Sequence, residues 1–253
     1  MKNWPWIVGG GIALWWLMRG TLGGLRGVQR GIDVSHWQDD IDWSKVAEDG
    51  YKFAIIKLSD GRGFIDPEGT DNTRGAKQAG LEVSYYHFAQ VDDSRGDAVA
   101  EAQHLLSVMR GLPRPTTLRF ASGRTAAVWL DLEKTADSVD EEEGLQWLLD
   151  WISTVEAAGY PVGIYTKKRW LDREATPGGR GLDQLLTRSD GSQRAFWVAR
   201  YGQNTGEMPD PSRYSPNVKV PSAWGAYDIW QFTSRGSVPG IDGRVDIDIA
   251  DFG

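Results

Sequence analysis

Apolar residues along the chain form short runs that alternate with segments of helical periodicity. Each run is about four to eight residues long and carries β-branched or aromatic side chains, as buried strands do. The predicted strands are residues 31–34, 53–59, 83–89, 126–133, 162–166, 196–201 and 227–233. Two intervening segments, 95–109 and 140–158, place apolar residues on one helical face. This alternation predicts βαβ units and a parallel sheet.

The fold class that the alternation predicts is α/β, with a barrel-like arrangement of mostly parallel strands. Residues 196–253 are rich in strand-like runs and poor in helical ones, so we do not expect the complete eightfold pattern of a (β/α) barrel. The stretch 111–125 contains Pro113, Pro115 and Gly123, and it predicts a surface loop.

The N-terminal segment differs from the rest of the chain. The run Trp4–Met18 is apolar and uncharged, and Arg19 follows it. As a helix the run would span about 22 Å, which is less than the bilayer core of about 30 Å. Gly9, Gly10 and Gly11 lower its helix propensity by about 1 kcal/mol each relative to alanine. The run is therefore marginal as a membrane span.

Three interpretations of this run compete. A membrane anchor is favoured, because tryptophans bracket the run as they do at membrane interfaces. A secretory signal peptide cleaved near Gly23 and a buried helix of the globular domain are the alternatives. The basic residues on both sides of the run do not fix its orientation. We therefore expect residues 1–30 to be an anchor or signal segment with a linker, and residues 31–253 to be one soluble domain.

Composition narrows the classes of function. The chain has 253 residues and a formal net charge of -7 without a basic run, so nucleic acid is not an expected partner. The absence of cysteine excludes disulfides, thiolate zinc sites and thiol nucleophiles. There is no P-loop, GxGxxG, GxSxG or HExxH motif. His36 and His87 follow strand segments, and we expect them to be hydrogen-bonding scaffold. The 13 Trp and 8 Tyr suit core packing, sugar stacking or a membrane interface.

Carboxylates lie at the ends of apolar strands. In AAVWLDLE, Asp131 and Glu133 are two positions apart, so they project from the same face of the strand. The carboxyl end of a strand is where α/β barrels build their active sites. Asp33 ends the strand GIDV, and Asp246 and Asp248 alternate with apolar residues in RVDIDIADF.

A cluster of such acids suits glycoside cleavage. Clustered carboxyl groups raise one another's pKa, which keeps one of them protonated as an acid catalyst. A second carboxylate then stabilises the developing oxocarbenium ion. Binding of Mg²⁺ or Ca²⁺ is the alternative use of an acid cluster. We expect neither a metal nor another cofactor.

Longer stretches resemble the glycoside hydrolase family 25 lysozymes, the Chalaropsis-type muramidases of phage endolysins and bacterial autolysins. They follow the family's order over residues 31–253: GIDVSHWQ, FAIIKLSDG, AGLEVSYYHFA, VWLDLE, GIYT, FWVARYG and DIWQFTSRGSVPGIDGRVDID. The resemblance implies a flattened, TIM-barrel-like (β/α) barrel of mostly parallel strands with antiparallel closing strands. It also implies hydrolysis, with net retention, of the β-1,4 bond between N-acetylmuramic acid and N-acetylglucosamine in peptidoglycan.

The resemblance also assigns roles to residues. Glu133 is implied as the general acid/base and Asp131 as its companion, with Asp33 and Asp246 as the acids of the first and last strands. The aromatic residues implied to line the sugar groove are Tyr86, Tyr165, Trp197, Tyr201 and Trp230. The chain departs from the family pattern in having Asp60 where Glu is usual, Asp39 where Gly is usual and Asp248 where Asn is usual. These departures affect expected substrate contacts.

The spacing of Asp131 and Glu133 leaves the mechanism open. Positions i and i+2 of a strand are about 6.6 Å apart along the backbone. A direct nucleophile usually lies about 5–5.5 Å from its acid partner, and an inverting base about 6.5–9.5 Å away. Side-chain rotamers cover the difference. The 2-acetamido group of the substrate could also attack the anomeric carbon while Asp131 orients it, and this route is favoured.

The N-terminal run and the family resemblance together suggest a phage endolysin for host lysis. Residues 4–18 would tether a monomeric enzyme to the inner membrane and then release it into the periplasm of an infected bacterium. The alternatives are a bacterial autolysin or secreted muramidase, with secretion following signal cleavage, and a catalytically silent peptidoglycan-binding protein. Retention of all four acids argues against a silent protein, because binding alone needs rings and hydrogen bonds.

Overall fold

The computed structural model describes residues 26–92, 96–133, 141–167, 185, 187–188, 190–201, 204–207 and 226–253. The N-terminal run and its predicted role lie outside these residues. In the part that is described, none of the helices has the length and apolar character needed to cross a membrane.

The described residues form an α/β fold. Its strands are β1 Gly27–Val34, β2 Phe53–Asp60, β3 Phe64–Ile65, β4 Glu82–Phe88, β5 Leu118–Arg119, β6 Thr125–Ala126, β7 Val128–Leu132, β8 Val162–Lys167, β9 Phe196–Ala199, β10 Ile229–Gly236 and β11 Val245–Phe252. Its helices are α1 Trp43–Glu48, α2 Gly69–Gln78, α3 Asp97–Met109 and α4 Glu141–Ala157, and a 3-10 turn covers His36–Gln38.

The main sheet closes into a barrel, as the sequence predicts. Its strands follow the order β1-β11-β10-β9-β8-β7-β4-β2, and a parallel pairing of β1 with β2 closes the ring. All neighbouring pairs from β1 through β2, β4, β7, β8 and β9 to β10 are parallel, whereas β11 is antiparallel to both β10 and β1. The connection from Gly236 to Val245 is shorter than the dozen or so residues that a parallel crossover needs. It therefore returns the chain antiparallel.

The barrel separates two apolar cores. The inner core contains Trp129, Trp197, Phe53 and Phe252, all within the ring of strands. The outer core lies between the strands and the helices. Glycine is required at position 163 because a Cβ there would overlap the ring of Trp129. The large rings fill the interior, and a cavity lies at the end of the barrel where the parallel strands finish.

Two details differ from the sequence-based prediction. The predicted strand 126–133 is divided into β6 and β7. The stretch 111–125 is not wholly a surface loop, because Leu118 and Phe120 are buried. The Phe120 ring stacks on Phe252, with 5.3 Å between ring centroids, and meets Trp129 edge-on at 6.1 Å. Phe120 thus covers the end of the barrel where β7 begins, opposite the predicted site.

Candidate active site

The predicted acids meet at the rim where the parallel strands end. Asp33 is in β1 and Asp131 in β7, and Glu133 follows β7 directly. Asp246 is in β11, which begins at this rim because it is antiparallel, and it is the register partner of Asp33. The four acids line one cavity of about 360 Å³.

Most of the predicted aromatic residues line the same cavity. They are Tyr86, Tyr165, Trp197 and Tyr201. The other lining residues, which the sequence did not single out, are Ser35, Trp37, Lys57, Phe88, Lys167, Gln231 and Ser234. The cavity therefore combines acids, cations and aromatic rings, which are the groups that recognise a sugar and polarise its bonds.

Trp230 is the predicted residue that the structure does not bring to the cavity. Successive side chains of a strand point to opposite faces, and the neighbouring Ile229 belongs to the inner core. Trp230 packs instead against the outer core, where its ring meets Phe232 edge-on at 6.0 Å. Its indole N–H donates to the carbonyl of Arg200 at 2.9 Å. The expectation that Trp230 lines the groove is corrected by its position on the outer face.

Gln231 organises the acids at the barrel centre. Its Nε2 donates to Oδ2 of Asp33 at 2.7 Å. Its Oε1 accepts hydrogen bonds from the hydroxyl groups of Tyr165 at 3.0 Å and Tyr201 at 2.6 Å. Two donors to the same oxygen fix the orientation of the amide, so the NH₂ group must face Asp33. Gln231 was missed in the sequence because a glutamine between apolar residues carries no chemical signal of its own.

The acids are held in an environment that favours their protonated forms. Burial raises the pKa of Asp33 well above its usual range, and the charges of Asp246 and Asp248 raise it further. Burial and the charge of Glu133 raise the pKa of Asp246 to about 7, although Lys167 opposes the shift. Protonated carboxyl groups near neutral pH can donate hydrogen bonds to sugar hydroxyl groups.

Both negatively and positively charged groups lie near Asp131. It is buried, and its Oδ1 has no hydrogen-bond partner among the described residues. Burial raises its pKa well above the usual range and the charge of Glu133 adds to this, whereas Lys167 and Lys57 lower it. The hydrogen-bonding capacity of this buried oxygen is therefore not used by the described residues.

Two lysines place positive charge beside the acids. Lys167 forms an ion pair with Oε2 of Glu133. Lys57 is buried and donates to Oδ2 of Asp60 at 3.1 Å. Oδ1 of Asp60 accepts in turn from Nε2 of Gln90 at 2.7 Å, so Asp60 holds the Lys57 ammonium group in place. The chain's Asp60 thus contacts a cavity residue rather than lining the cavity itself.

Trp37 forms an exposed platform at the rim. Its side chain is 79% exposed while lining the cavity. Its backbone is fixed because Oγ of Ser35 accepts from the Trp37 N–H, and the neighbouring His36 bonds Oδ2 of Asp66 at 2.8 Å. An exposed indole on a fixed turn suits stacking on a sugar ring. The motif GIDVSHWQ contained this residue, but an aromatic residue in a turn is indistinguishable by sequence from a packed one.

The buried histidine serves as scaffold, as predicted. His87 is fully buried, and its ring nitrogens contact Oγ of Ser59 at 2.9 Å and Oε2 of Glu101 at 2.8 Å. Its ring stacks on Trp151, with 5.4 Å between centroids. Burial lowers the pKa of His87. The histidine connects β4 to α3 and does not line the cavity. Within the described ranges, no group of three or more His, Asp or Glu side chains is arranged to hold a metal ion.

The barrel and the acid-lined cavity are those of a glycoside hydrolase. Residues 32–241 match the protein family "Glycosyl hydrolases family 25". Since the match covers most of the chain, the chain belongs to this family.

Relatives and solved structures agree with this assignment. The chain is 30% identical over 226 residues to "Lysozyme M1" of Streptomyces globisporus, covering 87% of this chain and 66% of that protein. It is 25% identical over 221 residues to "Autolytic lysozyme" of Clostridium acetobutylicum, covering 87% of this chain and 55% of that protein. The chain thus spans about two thirds or less of these two relatives.

A bacterial lysozyme from Streptomyces coelicolor has a similar structure, with a TM-score of 0.65, 25% identity and coverage of 92% of this chain and 94% of that one. The catalytic domain of an endolysin from a Listeria monocytogenes bacteriophage gives a TM-score of 0.65 at 24% identity, with coverage of 90% and 95%. The second likeness concerns the fold alone.

Proposed function

We propose that the chain is a lysozyme that hydrolyses the β-1,4 bond between N-acetylmuramic acid and N-acetylglucosamine in peptidoglycan. The observation that carries the proposal is the meeting of Asp131 and Glu133 with Asp33 and Asp246 in one cavity walled by aromatic rings. Membership of family 25 and its lysozyme relatives support the same substrate.

Glu133 acts as the general acid and then as the general base. It is partly exposed at the mouth of the cavity, with its side chain 17% exposed, so it can reach a glycosidic oxygen. In the first step the protonated form of Glu133 gives its proton to the leaving oxygen as the glycosidic C–O bond breaks. In the second step it takes a proton from the attacking water.

Asp131 orients the substrate's 2-acetamido group, whose oxygen attacks the anomeric carbon in the first step. The carboxylate accepts the acetamido N–H and stabilises the positive charge of the cyclic oxazolinium intermediate. The place of Asp131 in the cavity wall, with an Oδ1 that has no donor among the described residues, supports this role. Water then opens the ring from the side of the departed sugar, so two inversions give net retention. Asp246, in its protonated form, donates a hydrogen bond to a sugar hydroxyl group, and Asp33 lies beside it in the cavity.

The test of this function is digestion of purified peptidoglycan. We expect new reducing ends to accumulate while the number of free peptide amino groups stays constant. Release of amino groups without new reducing ends would show an amidase or peptidase, and binding without either product would show a silent glycan-binding protein.

Lys57 is expected to influence the acidic limit of activity. Asp131 must be ionised to stabilise the oxazolinium charge, and the ammonium groups of Lys167 and Lys57 lower the pKa that burial raises. In Lys57→Met, Asp131 should take up its proton at higher pH. The ratio of kcat/KM at pH 5 to that at pH 7 should therefore be lower in this variant than in the wild type.

The control for this variant is Lys45→Met, since Lys45 is exposed in an ion pair with Asp42. Its pH profile should match that of the wild type. A profile for Lys57→Met that is scaled down equally at all pH values would contradict the electrostatic role of Lys57.

We further propose that residues 1–30 are a membrane anchor with a linker, that residues 31–253 are the catalytic domain, and that the protein is a phage endolysin acting in the periplasm. The short apolar run with three glycines supports an anchor that can leave the bilayer. The bacterial autolysin remains the alternative, with the same chemistry.

The anchor hypothesis predicts release without proteolysis. Replacement of Gly9, Gly10 and Gly11 by leucine adds apolar surface and helix propensity, so the variant should stay in the membrane fraction. Cells expressing each form are fractionated, and the intact mass of the periplasmic protein is measured. Full-length soluble wild type is expected. A soluble form that begins near Gly24 would instead show a cleaved signal peptide.

A further inference from the structure

A second buried acid, Asp248, lies on the strand next to Asp33. Asp248 has a fully buried side chain in β11, two residues beyond Asp246. Its register partners are Gly31 in β1 and Gln231 in β10, so it lies between the strand that carries Asp33 and the strand that carries the Asp33 donor. It does not line the cavity, and the mechanism above does not use it.

One of the two carboxyl oxygens of Asp248 has no hydrogen-bond donor among the described residues. Oδ1 accepts from the indole N–H of Trp197 at 2.8 Å. Oδ2 has no hydrogen-bond donor among the described residues. Asp248 is nevertheless the diagonal neighbour of Asp33, because its register partner Gly31 is two residues before Asp33 and shares its face of β1, and each of the two carboxyl groups shifts the pKa of the other. Carboxylates only accept, so two of them form a hydrogen bond only when one carries a proton.

The surrounding charges favour retention of that proton. The ionisable groups that face the pair are Asp246 on β11, Tyr86 on β4 and, through Gln231, the hydroxyl groups of Tyr165 and Tyr201. No cation among the described residues acts on Asp248. Burial and the charge of Asp246 raise its pKa to about 8, although the hydrogen bonds with Asp33 and Trp197 lower it.

We propose that Asp248 is a positioning residue that shares one proton with Asp33 and thereby fixes the charge and orientation that Asp33 presents to the cavity. At neutral pH the pair carries a single negative charge. When the shared proton leaves at alkaline pH, two buried carboxylates repel each other and Asp33 loses its partner. This inference rests on the proposed function only for its effect on catalysis.

The test compares Asp248→Asn with the wild type, with Asp251→Asn as the control. Asparagine has the shape of aspartate, can still accept from Trp197, and donates to Asp33 at every pH. Asp251 lies on the same strand and is paired with Val28, away from the cavity. Unfolding equilibria are measured by denaturant from pH 5 to 8, and kcat/KM on peptidoglycan is measured over the same range and up to pH 9.

The number of protons bound in the folded and unfolded states determines how stability changes with pH. The folded wild type keeps a proton that the unfolded chain has released above its ordinary carboxyl pKa, so rising pH favours unfolding. For one proton, the unfolding constant of the wild type should rise about tenfold per pH unit relative to that of Asp248→Asn. The unfolding constant of Asp251→Asn should change with pH in the same way as that of the wild type. In catalysis, the ratio of kcat/KM for Asp248→Asn to that for the wild type should increase between pH 7 and 9.

An infrared spectrum at pH 7 adds a measurement that needs neither unfolding nor substrate. The wild type should show a protonated carboxyl band that is weakened in Asp248→Asn and retained in Asp251→Asn. Parallel unfolding profiles of wild type and Asp248→Asn, or identical carboxyl bands, would overturn the shared proton. Absence of glycan cleavage with divergent unfolding profiles would instead reject the proposed function and leave the shared proton standing.

Discussion

Replacement of Glu133 by glutamine is expected to lower kcat by about 100-fold or more, the usual scale of general acid–base catalysis. Glutamine has nearly the same size and keeps a polar contact with Lys167, but it can neither give a proton to the glycosidic oxygen nor take one from water. The position lies just beyond β7 at the cavity mouth, so the fold should be retained. The measurements are kcat on peptidoglycan and the thermal unfolding midpoint.

Glu48→Gln provides the matched control, because Glu48 is exposed at the end of α1 and remote from the cavity. This variant should keep wild-type turnover. A folded Glu133→Gln protein with nearly unchanged kcat would remove Glu133 from the acid role.

Asp131→Asn is the second variant with a large expected effect. The substitution removes the charge that stabilises the oxazolinium ion, so we expect a loss in kcat of about 100-fold or more. A loss confined to KM would show that Asp131 binds the sugar without stabilising the transition state.

The same substitution should leave the protein at least as stable as the wild type at neutral pH. Burial raises the pKa of Asp131 in the folded state. Its ionisation therefore costs stability as pH rises from the unfolded value of about 4 through the raised folded value. Asparagine has no such cost. Unfolding midpoints at pH 5 and 8 should show a smaller decrease for Asp131→Asn, whereas a decrease equal to that of the wild type would contradict the raised pKa.

The barrel could be predicted because its strands are apolar and regularly spaced. Each parallel strand is buried on both sides, by the inner rings and by the helices, so it reads as a continuous apolar run. The helices α1 and α2 were not distinguished by periodicity. The sequence of α2, GTDNTRGAKQ, offers little apolar periodicity, and its buried residues include Asn72 and Thr73. Tertiary packing, not local pattern, determines these helices.

The acids of the site could be predicted because motif and strand position pointed to the same residues. The sequence did not predict the roles of Lys57, Lys167 and Gln231, since each of them acts on an acid that is distant in the chain. Gln231 meets Asp33 across a separation of 198 residues. For Trp230 the family motif and the strand period conflicted, and the strand period determined which face of β10 the ring occupies.

The identity of the sugar at the new reducing end tests the central claim most directly. Purified peptidoglycan is digested with the wild type and, as a control, with Glu133→Gln, and the products are reduced with borohydride and identified by mass spectrometry. Cleavage between N-acetylmuramic acid and N-acetylglucosamine predicts that the wild type yields reduced N-acetylmuramic acid and that Glu133→Gln yields almost none. Reduced N-acetylglucosamine in its place would contradict the muramidase account.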